Sequence, residues 1–140
     1  MKKVILVVED KEEEQILARK AVADSGHGII LCANLFDAKS MIGSYSSKLS
    51  GIVADLHFPE RSQDTNLNKP AGLAILTLAV SENIPVVVCS DMDNHQSDYV
   101  KDVIRYLGKH TSYGGIPFSV DRKDWLQSVK QLNAIMAKGE

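Results

Sequence analysis

The sequence predicts an α/β protein: a doubly wound, five-stranded parallel sheet held between two layers of helices. Three observations predict it. Short apolar runs, rich in β-branched residues, alternate with amphipathic stretches along the whole chain. Most of the runs lack a polar alternation, as expected of strands buried on both faces. The order is βα repeated five times, which right-handed crossovers wind into a three-layer sandwich.

Each element has its own warrant. Val4–Val8 is a continuous β-branched run and reads as the first strand. Lys2 and Lys3 before it give the start of the chain the outline of a signal peptide. The run is too short for one, however, and ends in Glu9-Asp10 with no small-residue cleavage site behind it. Glu12–Ser25 predicts a helix with Ile16, Leu17 and Ala21 on its inner side, ended by Gly26 and Gly28. Ile29–Cys32 is a second strand. Asn34 is placed to cap a helix carrying Ala38, Met41, Ile42 and Tyr45 at spacings of three and four. Ser44–Ser50 is a polar loop and Gly51–Leu56 a third strand.

His57–Pro70 is polar and without an apolar period. Gly72–Val80 predicts a helix with Leu73, Leu76 and Val80 facing one way. Pro85 opens a fourth strand, Val86–Cys89, and Ser90–Gln96 is polar again. Tyr99–Gly108 reads as a helix striped by Val100, Val103, Ile104 and Leu107. Gly114-Gly115 introduces Ile116–Val120, the candidate fifth strand. Asp121, with Asp124 three residues on, resembles a capping arrangement for a last helix that lines up Trp125, Val129, Leu132, Asn133 and Met136.

A chain of 140 residues is enough for one compact domain and too short for two ordinary ones, so a single domain over 1–140 is expected. Hydrophobic residues at 44% and charged residues at 24% are the proportions of a soluble globular protein. A net charge of -2 gives no reason to expect nucleic acid or a membrane surface as partner. No apolar run could span a bilayer, and neither a basic recognition helix nor a DNA-binding extension is expected. Cys32 and Cys89 each close an apolar run and lack C-x-x-C spacing, so they read as small buried thiols. A cytoplasmic location is the corresponding expectation.

In doubly wound sheets the ligand site lies outside the carboxyl ends of the strands, at the switch in strand order. Glu9 and Asp10 follow the first strand, Asp55 ends the third, and Ser90 and Asp91 follow the fourth. Carboxylates gathered at one edge repel one another unless a cation neutralises them. An all-oxygen set without thiolates suits a hard cation such as Mg²⁺. A carboxylate beside that ion can attack phosphorus, and the Ser90 hydroxyl could donate to a phosphoryl oxygen.

Here the motifs resemble a known family. Val4-Ile-Leu-Val-Val-Glu9-Asp10 looks like the opening strand and acidic pair of response-regulator receiver domains, the CheY-like superfamily with the flavodoxin-like (βα)5 fold. Gly51-Ile-Val-Ala-Asp55-Leu-His-Phe-Pro59 is similar to their phosphoacceptor strand, Gly72-Leu73 to the start of their third helix, and Ile84-Pro85-Val-Val-Val-Cys-Ser90 to their fourth strand. The resemblance covers Lys3 to about Ser90 and weakens beyond. It implies that Asp55 accepts a phosphoryl group from a sensor histidine kinase or phosphotransfer protein. It also implies that Asp10, Asp55 and the backbone carbonyl of His57 bind Mg²⁺, with Glu9 acting through a metal-bound water. Ser90 would follow the phosphoryl group and move the face built by the fourth helix, fifth strand and fifth helix, a face that could also support a homodimer or meet a downstream protein target.

The family also places a lysine at the end of strand five, and two registers compete for it. In one, Tyr106-Leu-Gly-Lys109 imitates the family's aromatic-x-x-Lys, which needs Val103–Lys109 to be strand. In the other, favoured here, Ile116–Val120 is strand five, Ile116-Pro117-Phe118 stands where the family has Lys-Pro-Phe, and Lys123 reaches in from the start of the last helix. Glu60–Pro70 enlarges the segment after Asp55, and Asp91 replaces a small residue. The expected function is a stand-alone phosphorelay module. A pseudo-receiver that docks partners without productive phosphorylation is the alternative. A small Mg²⁺-dependent phosphatase is less favoured, because that class needs an acid two residues after the nucleophile, where this chain has His57.

Overall fold

A computed structural model of the chain describes residues 3–64, 69–91, 98–118 and 122–139. The elements are β1 (Val4–Val8), α1 (Glu12–Asp24), β2 (Gly28–Cys32), α2 (Leu35–Tyr45), β3 (Gly51–Ala54), α3 (Gly72–Ser81), β4 (Val86–Val88), α4 (Asp98–Gly108) and α5 (Trp125–Lys138). The four strands form one parallel sheet in the order β2-β1-β3-β4. Period-two alternation divides their side chains between two cores. Leu6, Val8, Ile52, Ala54, Val86 and Val88 face the layer of α2, α3 and α4. Ile5, Val7, Val53, Val87 and Cys89 face α1 and α5. Both faces of each central strand are therefore dry, which explains why the runs read as continuously apolar.

The fifth position of the sheet is occupied at one end. Val88 donates its N–H to the Pro117 carbonyl at 2.9 Å, and Phe118 forms a single parallel bridge with Val88. Among the described residues this bridge is all there is of the expected Ile116–Val120 strand, whose last two residues lie outside them. The competing register is excluded, because Asp98–Gly108 is helix.

Three inner faces differ from the expectation. On α1, Ile16 and Leu17 are 62% and 53% exposed, while Ala18, Ala21 and Val22 are buried. Ala18, Ala21 and Val22 form their own three-and-four stripe, and the two alanines let the helix approach the sheet closely, leaving the larger pair outside. On α3 the fully buried set is Ile75, Leu76 and Ala79 with Gly72; Leu73 and Val80 pack at its margin. On α2, Ala38 and Ile42 are buried and Tyr45 stands out in solvent. Asn34 does cap α2, its Oδ1 accepting from the Asp37 N–H at 2.8 Å. The cap of α5 is Asp124, which accepts from the Gln127 N–H at 3.0 Å. Asp121, the expected cap, lies outside the described residues. Cys32 and Cys89 are buried free thiols, and burial pushes Cys89 up to about 12, so it stays a neutral packing group.

Candidate functional site

The register of the sheet builds the site. Val8 pairs with Ala54, so the next residues, Glu9 and Asp55, leave adjacent strands side by side where the strand order reverses. Ala54 pairs with Val88, which sets Ser90 one step beyond the position opposite Asp55. Both acids and Ser90 are buried; Asp55 is only 3% exposed. Asp10, His57 and Asp91 stand half-buried at the same edge. Glu9, Asp10 and Asp55 can each offer a carboxylate oxygen, all within 4.8 Å of one another. Three hard oxygen donors at this separation fit a small divalent cation such as Mg²⁺.

Backbone donors fix the acids. Asp55 donates its N–H to the Val8 carbonyl at 3.0 Å, and its Oδ1 accepts from the Leu56 N–H at 2.7 Å. Glu9 Oε2 accepts from the N–H of Asp10 at 2.8 Å and of Lys11 at 3.4 Å. The Glu9 carbonyl is held by Gln15 Nε2 at 2.8 Å. No sequence pattern pointed to Gln15, since its contact depends on how tightly the chain turns between β1 and α1.

The other oxygens of the two buried acids share one cation. Lys123 Nζ donates to Glu9 Oε1 at 2.5 Å and to Asp55 Oδ2 at 2.9 Å, with its side chain almost fully enclosed. Asp124, the next residue, caps α5, which fixes where the lysine leaves the backbone. Lys109 stands exposed beyond the last residue of α4. Burial is the main cause that raises Glu9, and the neighbouring Asp55 charge adds to it; Lys123 pulls the other way, and the net value is about 8. Burial alone would push the Lys123 ammonium down, but the charges of Asp55 and Glu9 outweigh it and the net direction is up.

The third helix meets the site at a glycine. Gly72 donates its N–H to the Leu56 carbonyl at 2.8 Å. A Cβ on Gly72 would stand 2.4 Å from the Asp55 carbonyl oxygen and 2.7 Å from Leu56 Cα. Both are backbone atoms with no room to swing aside. Gly72→Ala is therefore expected to cost about 1–3 kcal/mol in urea denaturation and to shift the amide resonances of Asp55 and Leu56. Unchanged stability would mean that the helix and strand can separate freely.

The enlarged segment after Asp55 is tied at its start to α2. Leu35 and Phe36 donate their N–H groups to the carbonyls of Pro59 and Glu60 at 2.9 and 2.8 Å. These would otherwise be orphan donors at the start of α2. The Arg61 guanidinium lies over the Phe36 ring at 5.3 Å, and Lys69 pairs with Glu60 at 3.5 Å. Residues 65–68 of this segment, and His95, lie outside the described residues.

No family model matches the sequence, and no curated protein matches it. Solved structures do resemble it. A response regulator receiver protein from Sinorhizobium medicae superposes with a TM-score of 0.72 at 16% identity, over 99% of this chain and 98% of its own. A CheY-like receiver domain protein from Methanospirillum hungatei gives 0.73 at 9% identity, over 99% and 96%. The phosphorylated cyanobacterial phytochrome response regulator RcpA gives 0.67 at 20% identity, over 96% and 91%. The chain has the fold of response-regulator receiver domains, the CheY-like doubly wound α/β sandwich.

Proposed function

We propose that residues 1–140 form one phosphoacceptor receiver domain of a two-component phosphorelay, in which Asp55 takes a phosphoryl group from the phosphohistidine of a sensor kinase or phosphotransfer protein. The observation that carries this reading is Asp55 itself: a buried carboxylate at the switch point, flanked by two further acids and paired with one enclosed lysine. Asp10 and Asp55 would hold Mg²⁺ directly with the His57 carbonyl, and Glu9 through a bound water. The ion, when bound, screens the charge of the incoming phosphoryl group. One Asp55 oxygen forms the new O–P bond as the N–P bond of the phosphohistidine breaks, its electron pair returning to the imidazole. Lys123 then exchanges a carboxylate oxygen for a phosphoryl oxygen, and the Ser90 hydroxyl donates to another. The exposed Tyr99, Val103 and Tyr106 stripe on α4 offers a face to a target or to a second copy.

Intact mass after incubation with acetyl phosphate and Mg²⁺ tests the reading. One base-labile phosphoryl group is expected, and none without the ion. Mg²⁺ alone is expected to shift amide resonances at residues 9–10 and 55–57 and to change the fluorescence of Trp125, the sole tryptophan. Silence up to tens of millimolar, a generous ceiling of about that size for a weak carboxylate site, defeats the metal assignment. Mg²⁺ binding with no modification by acetyl phosphate or sensor kinases hands the site to the docking pseudo-receiver reading.

A further inference from the structure

The buried stripe of α1 runs through Ala18, Ala21 and Val22. Continued one turn back it reaches Gln15, which lies on the same side of the helix as Ala18 and Val22. A polar residue therefore heads an apolar stripe, half-buried, in the first turns of the helix that follows the acidic pair. Its amide has one contact there: Gln15 Nε2 donates to the Glu9 carbonyl at 2.8 Å. A carbonyl only accepts, so the contact also decides which end of the amide carries the nitrogen.

The Glu9 carbonyl needs that donor. Glu9 is fully buried, and β1 ends at Val8, before it. Among the described residues no backbone N–H reaches the Glu9 carbonyl, and Gln15 is the donor it has. A buried carbonyl without a partner is costly. The same peptide carries the Asp10 N–H, which donates to Glu9 Oε2 at 2.8 Å. The plane between Glu9 and Asp10 is thus pinned at both ends. Gln15 holds its oxygen, and the Glu9 carboxylate holds its hydrogen. A planar peptide held in this way cannot rotate, so Asp10 leaves the turn in a fixed direction. The start of α1 gives no substitute, because Lys11, its N-cap residue, makes no side-chain capping bond.

We propose, on the reading of Glu9, Asp10 and Asp55 as a Mg²⁺ site, that Gln15 is a positioning residue which sets the preference of that site for Mg²⁺ over Ca²⁺. Mg²⁺ demands short bonds in a regular octahedron, whereas Ca²⁺ takes longer bonds in irregular sets. An Asp10 carried by a pinned peptide suits the smaller ion, and an Asp10 free to swing loses that ion first. Gln15→Met is the test, since Met keeps the length and the helix propensity of Gln but has no donor. Each cation is titrated into the parent and the variant and followed by amide NMR. Mg²⁺ affinity should fall about tenfold, the lower end for removing a partner that orients a ligand. Ca²⁺ affinity should fall about threefold or less, so the preference between the two narrows. In the metal-free variant, hydrogen exchange at the Asp10 amide should quicken about tenfold while the Ala18 and Val22 amides keep their rates. That pattern separates a freed peptide from a loosened helix. Mg²⁺ affinity equal to the parent's, equal losses for the two cations, or exchange that quickens alike along α1 would each overturn the proposal while the cation site stands. A parent protein that binds neither cation overturns the site reading and this proposal with it.

Discussion

Asp55→Asn is expected to remove all phosphoryl incorporation from acetyl phosphate while leaving a folded protein. Loss of the nucleophile is complete because an amide oxygen does not form an acyl phosphate. The other acids at the edge cannot substitute. The Glu9 carboxylate is occupied by two backbone donors and Lys123. Asp10 and Asp91 are only half-buried at the rim, and neither closes a strand beside an acid on the next one. The fold should survive because Asn keeps an oxygen for the Leu56 N–H and leaves Lys123 with Glu9 as partner. Stability should stay within about 2 kcal/mol of the parent, the ordinary span of single substitutions. Two measurements decide it: intact mass with phosphodonor and Mg²⁺, and urea denaturation without them. Residual modification in Asp55→Asn at the parental level would place the acceptor elsewhere and sink the site assignment.

The part of this site that was legible in the sequence is the part set by strand register. A buried parallel strand announces itself by a short unbroken apolar run, and the residue that ends the run must stand at the sheet edge. Glu9, Asp55 and Ser90 were therefore placed by their positions after Val8, Ala54 and Cys89. What depends on distant packing was not legible. Ile16 and Leu17 are as apolar as any core residue, and only the close seat of α1 on the sheet through Ala18 and Ala21 turns them outward. Asp121 and Asp124 both suited a helix start, and the choice fell to where the chain enters α5. The Glu60–Pro70 segment read as a loop, and its tie to two otherwise orphan N–H groups of α2 had no local signal. Lys123 was offered near the edge through the resemblance and the favoured register; that one ammonium would bridge both buried acids follows from the Asp124 cap, which no local pattern fixes.

Lys123→Ala is expected to produce the largest change in stability, and to do so in a pH-dependent way. Removing one member of a buried charge set leaves the rest uncompensated, at a cost of about 3–5 kcal/mol. The lost Asp55 contact is one part of that cost, and the part that varies with pH comes from the ionisation of Glu9. Its folded value of about 8 lies above the ordinary 4.5. A raised acid contributes stability that is fully present below the unfolded value and is lost as pH rises through the folded value. In the parent that loss falls between about pH 4.5 and 8. Lys123 is among the groups that hold Glu9 down, so its removal moves the folded value further up and carries the loss to higher pH. The deficit of Lys123→Ala should thus be smaller at about pH 5, where Glu9 is protonated with or without the lysine and the lost contact with Asp55 is what remains, and grow towards its full size at about pH 9. Lys109→Ala, at an exposed position past α4, should stay within about 0.5 kcal/mol of the parent at both. Urea denaturation of the three proteins at the two pH values measures this directly. Adding Glu9→Gln to Lys123→Ala removes the carboxylate left without its cation, and should recover most of the deficit at the higher pH. A deficit of equal size at both pH values, or one that Glu9→Gln leaves untouched, would show that Lys123 does not act through Glu9.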